Sequence, residues 1–376
     1  MAVLVAEKLE LLAPFRSQWD ELAKHAVEPN VFYESFLLES AIANLSSETF
    51  KGIFIFSEHS SELIGFFPLT ERSSYRGLPV GNFANFDYMH CYLNTPLVRR
   101  GQEKECFEQF FSWFDSSAGK SFVELRMCRL DGPFSLALER YLESSGRKMR
   151  LTSQYERALL SSSLTPDKYI ETSLRKKKRK EFKRLRRRLE ELGSVQVEVL
   201  APSADIQSWI EDFLHLEESG WKGEKGTALN RDPAQKRFFE QALHKAFENK
   251  KLLMLRLRLN GKSIAMQCHF RSGAGAFSFK IAFDEKYAQF SPGVMLEIEL
   301  TQLLLSEKRI AWIDSCADPN HSMINKLWME RRAIGHLVIA GDSFFSDMTV
   351  AALGSAHDFY RIFSRRSNYE RETFAI

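Results

Sequence analysis

Residues 276–305 read AFSFKIAFDEKYAQFSPGVMLEIELTQLLL. An apolar strand is expected from Ala276 to Phe283, followed by a polar turn, a corner at Ser291-Pro292-Gly293, and an amphipathic helix. Proline suits the first helical position because its missing N–H would be unbonded there in any case. Gly293 beside it lets another group approach the backbone closely. The free N–H groups and positive dipole end of such a helix suit a phosphate, so the strand, corner and helix read as a pyrophosphate seat. The chain has no Walker lysine motif and no GxGxxG fingerprint, which argues against the common nucleotide folds.

Outward from this stretch, 376 residues with 44% hydrophobic content suit two or three domains with real cores. Phenylalanine supplies 31 residues, so these cores should be aromatic-rich. No apolar run reaches the length of a transmembrane span, and MAVLVAEKLELLAPF, with its early acid, makes a poor signal peptide. Five cysteines, at 91, 106, 128, 268 and 316, form no CxxC pair. That fits a reducing cytoplasm and argues against a disulfide frame or structural zinc. Net charge is +3, yet Arg175–Arg188 (RKKKRKEFKRLRRR) holds 11 basic residues and one acid, and elsewhere acids outnumber bases 48 to 41. One strongly basic element rides on a mildly acidic protein.

Helices are expected at 16–25, 36–45, 103–115 and 133–144, with strands at 51–57, 63–72 and 122–126. Ser161-Ser162-Ser163 and Thr165-Pro166-Asp167 mark a boundary and a capped helix start. Beyond it, one long helix (166–192) leads to strand 195–200, helices near 205–219 and 233–249, and strands 252–259 and 263–270 about the Asn260-Gly261 turn. After the opening motif come strand 309–314, a short helix near 323–329, strand 335–340 and a helical tail from about 347. Interleaved strands and helices mean an α/β or α+β fold.

This order matches the layout of the Gcn5-related N-acyltransferases (GNAT). Local sequence agrees: RKKKRKEFKRLRRRLEELG (175–193), LEESGWKGEKGTAL (216–229), NGKSIAMQCHF (260–270), IAFDEKYAQFSPGVMLEIEL (281–300) and DSCADPNHSMINKLW (314–328) together resemble the CelD-like "acetyltransferase 6" family, relatives of the Fem aminoacyl transferases. The resemblance is specific from about Thr165 to Ile339 and weaker before it. It implies tandem N-acyltransferase-like domains, each a mixed central sheet flanked by helices: a degenerate copy at 1–160, an acyl-CoA-binding domain at 161–345, and a C-terminal helical tail at 346–376. It also implies acyl transfer from acyl-CoA to an amine of a small metabolite, amino sugar or cell-envelope precursor. A Fem-like transferase using aminoacyl-tRNA, a hydroxyl acceptor, and a non-catalytic CoA- or anion-binding module are the alternatives.

Residue by residue, the resemblance assigns the acyl-CoA pyrophosphate to Ser291, Gly293, Val294 and Met295, with Pro292 removing one donor where the superfamily has several. Gly220-Trp221-Lys222-Gly223 reads either as a helix cap with packed tryptophan or, by resemblance, as the acceptor side, with Trp221 and Lys222 as binding residues. Gln267 and His269 alternate on one strand and share a face, with Met266, Cys268 and Phe270 opposite. Lys280 interrupts an apolar strand, and a charge there must be paired or line a cleft. Asp314 closes another apolar strand. Direct attack needs a neutral amine, hence a general base or water relay, for which Asp314 and His269 are the candidates. The basic stretch reads as a helix with a buried stripe at Leu174, Phe182, Leu185, Leu189 and Leu192 and a solvated cationic face. That face suits an anionic substrate or peripheral membrane contact, and it lacks the aromatic platform of a specific nucleic-acid site. No Ser-His-Asp signature, HExxH or metal-ligand spacing occurs, so no metal is expected.

Overall fold

The computed structural model describes residues 3–45, 49–220, 226 and 228–353. In the first half, β1 (Val3–Ala6) precedes helices α1 (Arg16–His25) and α2 (Ser35–Leu45). Strands β2 (Phe50–Phe56), β3 (Leu63–Arg72), β4 (Asn82–Asn85) and β5 (Leu97–Val98) follow, then α3 (Glu103–Asp115), β6 (Phe122–Arg129), α4 (Pro133–Ser145) and β7 (Met149–Leu160). In the second half come α5 (Pro166–Ser173), α6 (Lys176–Glu190), β8 (Val195–Val199), α7 (Ile206–Glu218) and α8 (Pro233–Glu248). They are followed by β9 (Leu252–Leu259), β10 (Lys262–Ser272), β11 (Gly275–Phe283), α9 (Pro292–Glu307), β12 (Trp312–Asp314), α10 (Ile324–Leu327) and β13 (Glu330–Ala340).

These strands join in one mixed sheet in the order β1-β2-β3-β4-β6-β13-β7-β12-β11-β10-β9-β8, with β5 on β3. The order is palindromic. Each half runs strand, helices, three antiparallel strands, helix, parallel strand, helix, strand, and each gives its last strand to the other's side. β13 pairs β6 and β7, while β7 pairs β13 and β12. Residue 160, where a boundary is expected, therefore ends a strand embedded among second-half strands. The largest apolar core also crosses the chain, joining Trp19, Phe32 and Phe66 to Phe213, Phe239, Phe270 and Phe279 on one face of the sheet. On the opposite face of the second half, α6 (Leu185, Leu189) and α9 (Leu296, Leu300) close a second core.

Two differences from the expected elements have local causes. The long helix at 166–192 breaks because Leu174 takes an extended conformation (φ −111°, ψ 125°) and is buried, and Arg175 is also non-helical as it opens α6. Strand β13 begins at Glu330 rather than near 335, held by its register on β7. Residues 344–353 are helical, whereas the expected tail beyond 353 lies outside the described residues.

Candidate active site

Strand β11 pairs β12 in parallel only over Gly275–Phe277, opposite Trp312–Asp314. β12 stops at Asp314 while β11 runs on to Phe283, so the sheet splays open on that side. An outer cleft of about 620 Å³ opens there, lined by Phe283 and Lys280 of β11, Glu217 of α7, and Ser291, Gly293 and Val294 at the start of α9. An inner chamber of about 180 Å³ adjoins it and shares Tyr92, Phe279, Lys280, Ile281, His321 and Met323 as common walls.

The corner that opens α9 is built as its sequence implies, with Ser291 left-handed (φ 54°, ψ 53°) as N-cap and Pro292 at the first helical position. Gly293 and Val294 then lie in the first turn, where helix N–H groups have no carbonyl one turn back. Met295 is corrected: its N–H donates to the Ser291 carbonyl at 3.1 Å, and its buried side chain lines a different cavity. The Ser291 N–H is likewise spent on the Ala288 carbonyl at 2.9 Å. A phosphate at this corner would therefore meet Gly293 and Val294, with the Ser291 hydroxyl, which caps no N–H of its own helix.

The first half closes the equivalent opening with its own side chains. There β4 leaves β6 after Asn85, and the Asn85 side chain bridges the gap, accepting from the Arg126 N–H (2.8 Å) and donating to the Arg126 and Asn94 carbonyls. At the start of α3, Glu103 accepts the Gly101 N–H at 3.0 Å, placing a carboxylate where an anion would sit. Only the second half keeps an open seat among the described residues.

On β10 and β11 the polar side chains gather on the face covered by α9. Met266, Cys268, Phe270, Phe277 and Phe279 pack into the opposite core, which by alternation leaves Gln267, His269 and Ser278 facing α9, while a register shift between Cys268 and His269 sets Lys280 opposite Cys268. Gln267, His269, Ser278 and Lys280 all line the inner chamber. Gln267 donates to the Leu296 carbonyl (3.2 Å), which turns its Oε1 away from that bond, and this oxygen is buried without a hydrogen-bond partner. His269 Nδ1 lies 3.2 Å from Ser278 Oγ, and its buried Nε2 has no partner. Burial pushes the His269 pKa down to about 3, so the ring is neutral. Lys280 Nζ is 3.1 Å from His90 Nδ1, a contact between the two halves at the rim of the cleft.

Asp314 is also corrected. It is fully buried, ion-paired to Arg157 (2.7 Å) and Arg332 (2.8 Å), and accepts the Cys316 N–H at 2.9 Å. Its burial would raise its pKa, but the two guanidiniums outweigh this and hold it below the usual carboxylate range. A carboxylate so engaged is an anchor for β7, β12 and β13 and a poor proton acceptor. Trp221 and Lys222 lie outside the described residues.

Sequence reading missed Glu297. It sits on α9, 5% exposed, with Oε1 buried and unpartnered, and it lines the inner chamber. Burial raises its pKa to about 8. Nothing local in the sequence marks it: Glu299, two residues on in the same helix, keeps its side chain 40% exposed beside Arg186, and only the covering of α9 tells the two glutamates apart.

A further cavity of about 840 Å³ lies between α5, α6 and α9, lined from α9 by Met295, Ile298, Glu299 and Gln302. It is larger than the cleft but contains neither the helix start nor the unpartnered polar atoms. No group of three or more metal-ligating side chains occurs among the described residues. No helix among them is long and apolar enough to cross a membrane.

Residues 176–321 match the family model described as acetyltransferase (GNAT) domain, and this segment contains the splayed strands, the corner and the chamber. The match covers 146 of the 376 residues, all of them in the second half. No curated protein matches the sequence. Among solved structures, FemX is similar at 11% identity with a TM-score of 0.56, covering 86% of this chain and 95% of that one. A conserved protein of unknown function from Bacteroides thetaiotaomicron aligns at 12% identity and TM-score 0.58, covering 90% and 100%. The C-terminal domain of a putative lysylphosphatidylglycerol synthetase from Agrobacterium fabrum aligns at 12% and 0.53, covering 92% and 96%. At such identities the likeness is one of fold, and it extends over both halves of the chain.

Proposed function

We propose that the protein transfers an acyl group from acyl-CoA to an amine of a small metabolite, amino sugar or cell-envelope precursor. The observation that carries this reading is the start of α9: Gly293 and Val294 line an open cleft at the splay of β11 and β12, inside the segment that matches the GNAT family model. The pyrophosphate rests on the first-turn N–H groups of α9, where the helix dipole favours negative charge. The thioester then extends along β11 toward the inner chamber. Backbone N–H groups freed where β11 loses its partner would polarise the thioester carbonyl as an oxyanion site does.

The test is thermal unfolding of the full chain with acetyl-, octanoyl- and palmitoyl-CoA. A ligand at 100 times its Kd stabilises by about 2.7 kcal/mol, so a clear rise in Tm is expected from at least one of them. Gly293→Asp, which sets a carboxylate at the phosphate seat, removes that rise. If no acyl-CoA shifts the transition and Gly293→Asp changes nothing, the donor assignment fails.

A second reading, a Fem-like transferase that uses aminoacyl-tRNA, is supported by the cationic face of α6 and by the likeness in fold to FemX. Transfer of a radiolabelled aminoacyl group from charged tRNA, without acyl-CoA, would establish it.

A further inference from the structure

The inner chamber gathers three buried, unpartnered polar atoms into one small space: Gln267 Oε1, His269 Nε2 and Glu297 Oε1. Their residues are 1%, 2% and 5% exposed. Buried polar groups are nearly always hydrogen-bonded, and each exception asks for an explanation. Three exceptions around one cavity ask for a common one. The chemistry of the three is also alike. The Gln267 amide nitrogen is used on Leu296, so the free end is an acceptor. In the tautomer whose Nδ1–H donates to Ser278 Oγ, His269 Nε2 presents a lone pair. Glu297 adds a carboxyl. An acceptor-lined chamber calls for a ligand with several N–H donors on one atom.

Resting on the acyl-CoA reading above, we infer that the inner chamber is the seat of a compact primary amine, with Gln267 and His269 fixing its N–H groups and Glu297 as the residue that takes its proton. Its volume of about 180 Å³ suits a compact head group. Lys280, held against His90 at the rim, marks the junction with the outer cleft.

An ammonium entering the chamber stabilises Glu297 as a carboxylate, and Glu297 takes one proton to free the nitrogen lone pair. Nitrogen attacks the thioester carbonyl carbon, a C–N bond forms, and the C–S bond breaks. The remaining acidic proton on nitrogen passes to the departing CoA thiolate, giving CoA-SH and the amide. Glu297 then releases its proton to solvent. The other titratable groups lining the chamber with Glu297 are Tyr92 of the first half, His269 of β10, Lys280 of β11, and Cys316 and His321 after β12.

The experiment uses the full chain, the acyl-CoA that gives the largest thermal shift, and ethanolamine, ethylene glycol and 1,3-diaminopropane as probe acceptors. CoA thiol release and product mass are read together. The two amines are expected to be N-acylated and the glycol untouched. Glu297→Gln, close to isosteric, is expected to lower kcat at least 100-fold and to abolish the limb of the pH–rate profile that rises from acid. Its acyl-CoA thermal shift should remain that of the parent. Gln267→Met is expected to raise KM for ethanolamine about tenfold with a smaller effect on kcat. Transfer to ethylene glycol at the amine's rate, or full activity in Glu297→Gln, would overturn the assignment while leaving the donor reading intact. If no acyl-CoA binds, calorimetric titration with 1,3-diaminopropane decides the chamber separately: binding lost in Glu297→Gln supports it, and no binding, or equal binding by the variant, overturns it.

Discussion

Glu297 and Asp314 are both buried carboxyls, yet their surroundings give them opposite properties. Glu297 has no cationic partner beside it, and burial alone lifts its pKa to about 8. The folded protein therefore keeps a proton that the unfolded chain gives up near 4.5, the ordinary glutamate value. This contribution to stability is fully present below that pH and is lost as pH rises through about 8. Glu297→Gln should match the parent near pH 4 and exceed it near pH 9, by at most roughly 5 kcal/mol, when thermal unfolding is followed across the range. His269 acts with the opposite sign, since burial lowers its pKa from 6.5 to about 3 and its contribution is lost as pH falls through that window. Asp314, between Arg157 and Arg332, has a depressed pKa and contributes stability that is lost only in acid. Asp314→Asn leaves two buried guanidiniums facing a neutral amide. It should cost about 3–5 kcal/mol in urea unfolding, while the folded fraction still binds acyl-CoA. Retained stability with lost proton transfer would return Asp314 to the catalytic role that its sequence position suggested.

At the scale of elements, the first turn of α9 and the exposed face of α6 allow ligand effects to be separated from folding. A Cβ at Gly293 would meet Ile281 Cδ1 at 3.5 Å and Phe283 Cδ1 at 3.7 Å, ordinary contact distances. Gly293→Ala should therefore keep or raise Tm, since alanine is favoured over glycine in a helix by about 1 kcal/mol. Any loss of acyl-CoA affinity in that variant then reports on the seat itself. On α6, Leu185 and Leu189 are buried, whereas Lys176, Lys177, Lys180 and Arg184 are exposed and pair with no carboxylate among the described residues. Changing those four to glutamine should move stability by no more than about 0.5 kcal/mol each, whereas Leu185→Ala should cost about 2–5 kcal/mol. Both effects are read by denaturant titration. The elements legible in the sequence were those with strong local signals: the Asn260-Gly261 hairpin, the Pro292 helix start, and the apolar alternation of β10 and β11. Strand β7 was not legible, because Met149 and Leu151 are exposed while Arg157 is buried, inverting the usual pattern. Its place between β12 and β13 comes from long-range pairing, and Arg157 is tolerable inside only because Asp314 comes from another strand. The chamber was half legible. Gln267 and His269 show themselves by alternation, but Glu297 in LEIEL reads locally as a solvated helix residue until α9 is known to be covered.

The whole molecule turns on the exchange of β7 and β13 at the centre of the sheet. β6 has no strand of its own half on the side taken by β13, and β12 has none on the side taken by β7. A chain cut after residue 160 would leave each fragment with a long strand stripped of its partners and an exposed part of the shared core around Phe32 and Phe277, whose rings meet at 5.5 Å. Asp314 would also lose Arg157, one of its two cations, along with the partner strand that carries it. Neither fragment, 1–160 or 161–376, is therefore expected to fold cooperatively alone, because unpaired edges and uncovered apolar surface favour aggregation over a native state. Mixed in equal amounts during refolding, the fragments should give a one-to-one complex with a single melting transition and the acyl-CoA response of the intact chain. Circular dichroism and size-exclusion chromatography follow the assembly. Two fragments that each melt sharply on their own would show that the halves are independent domains and that the central exchange is dispensable. The first half, closed at its own splay, would then have to be explained by something other than the strand it lends beside β12.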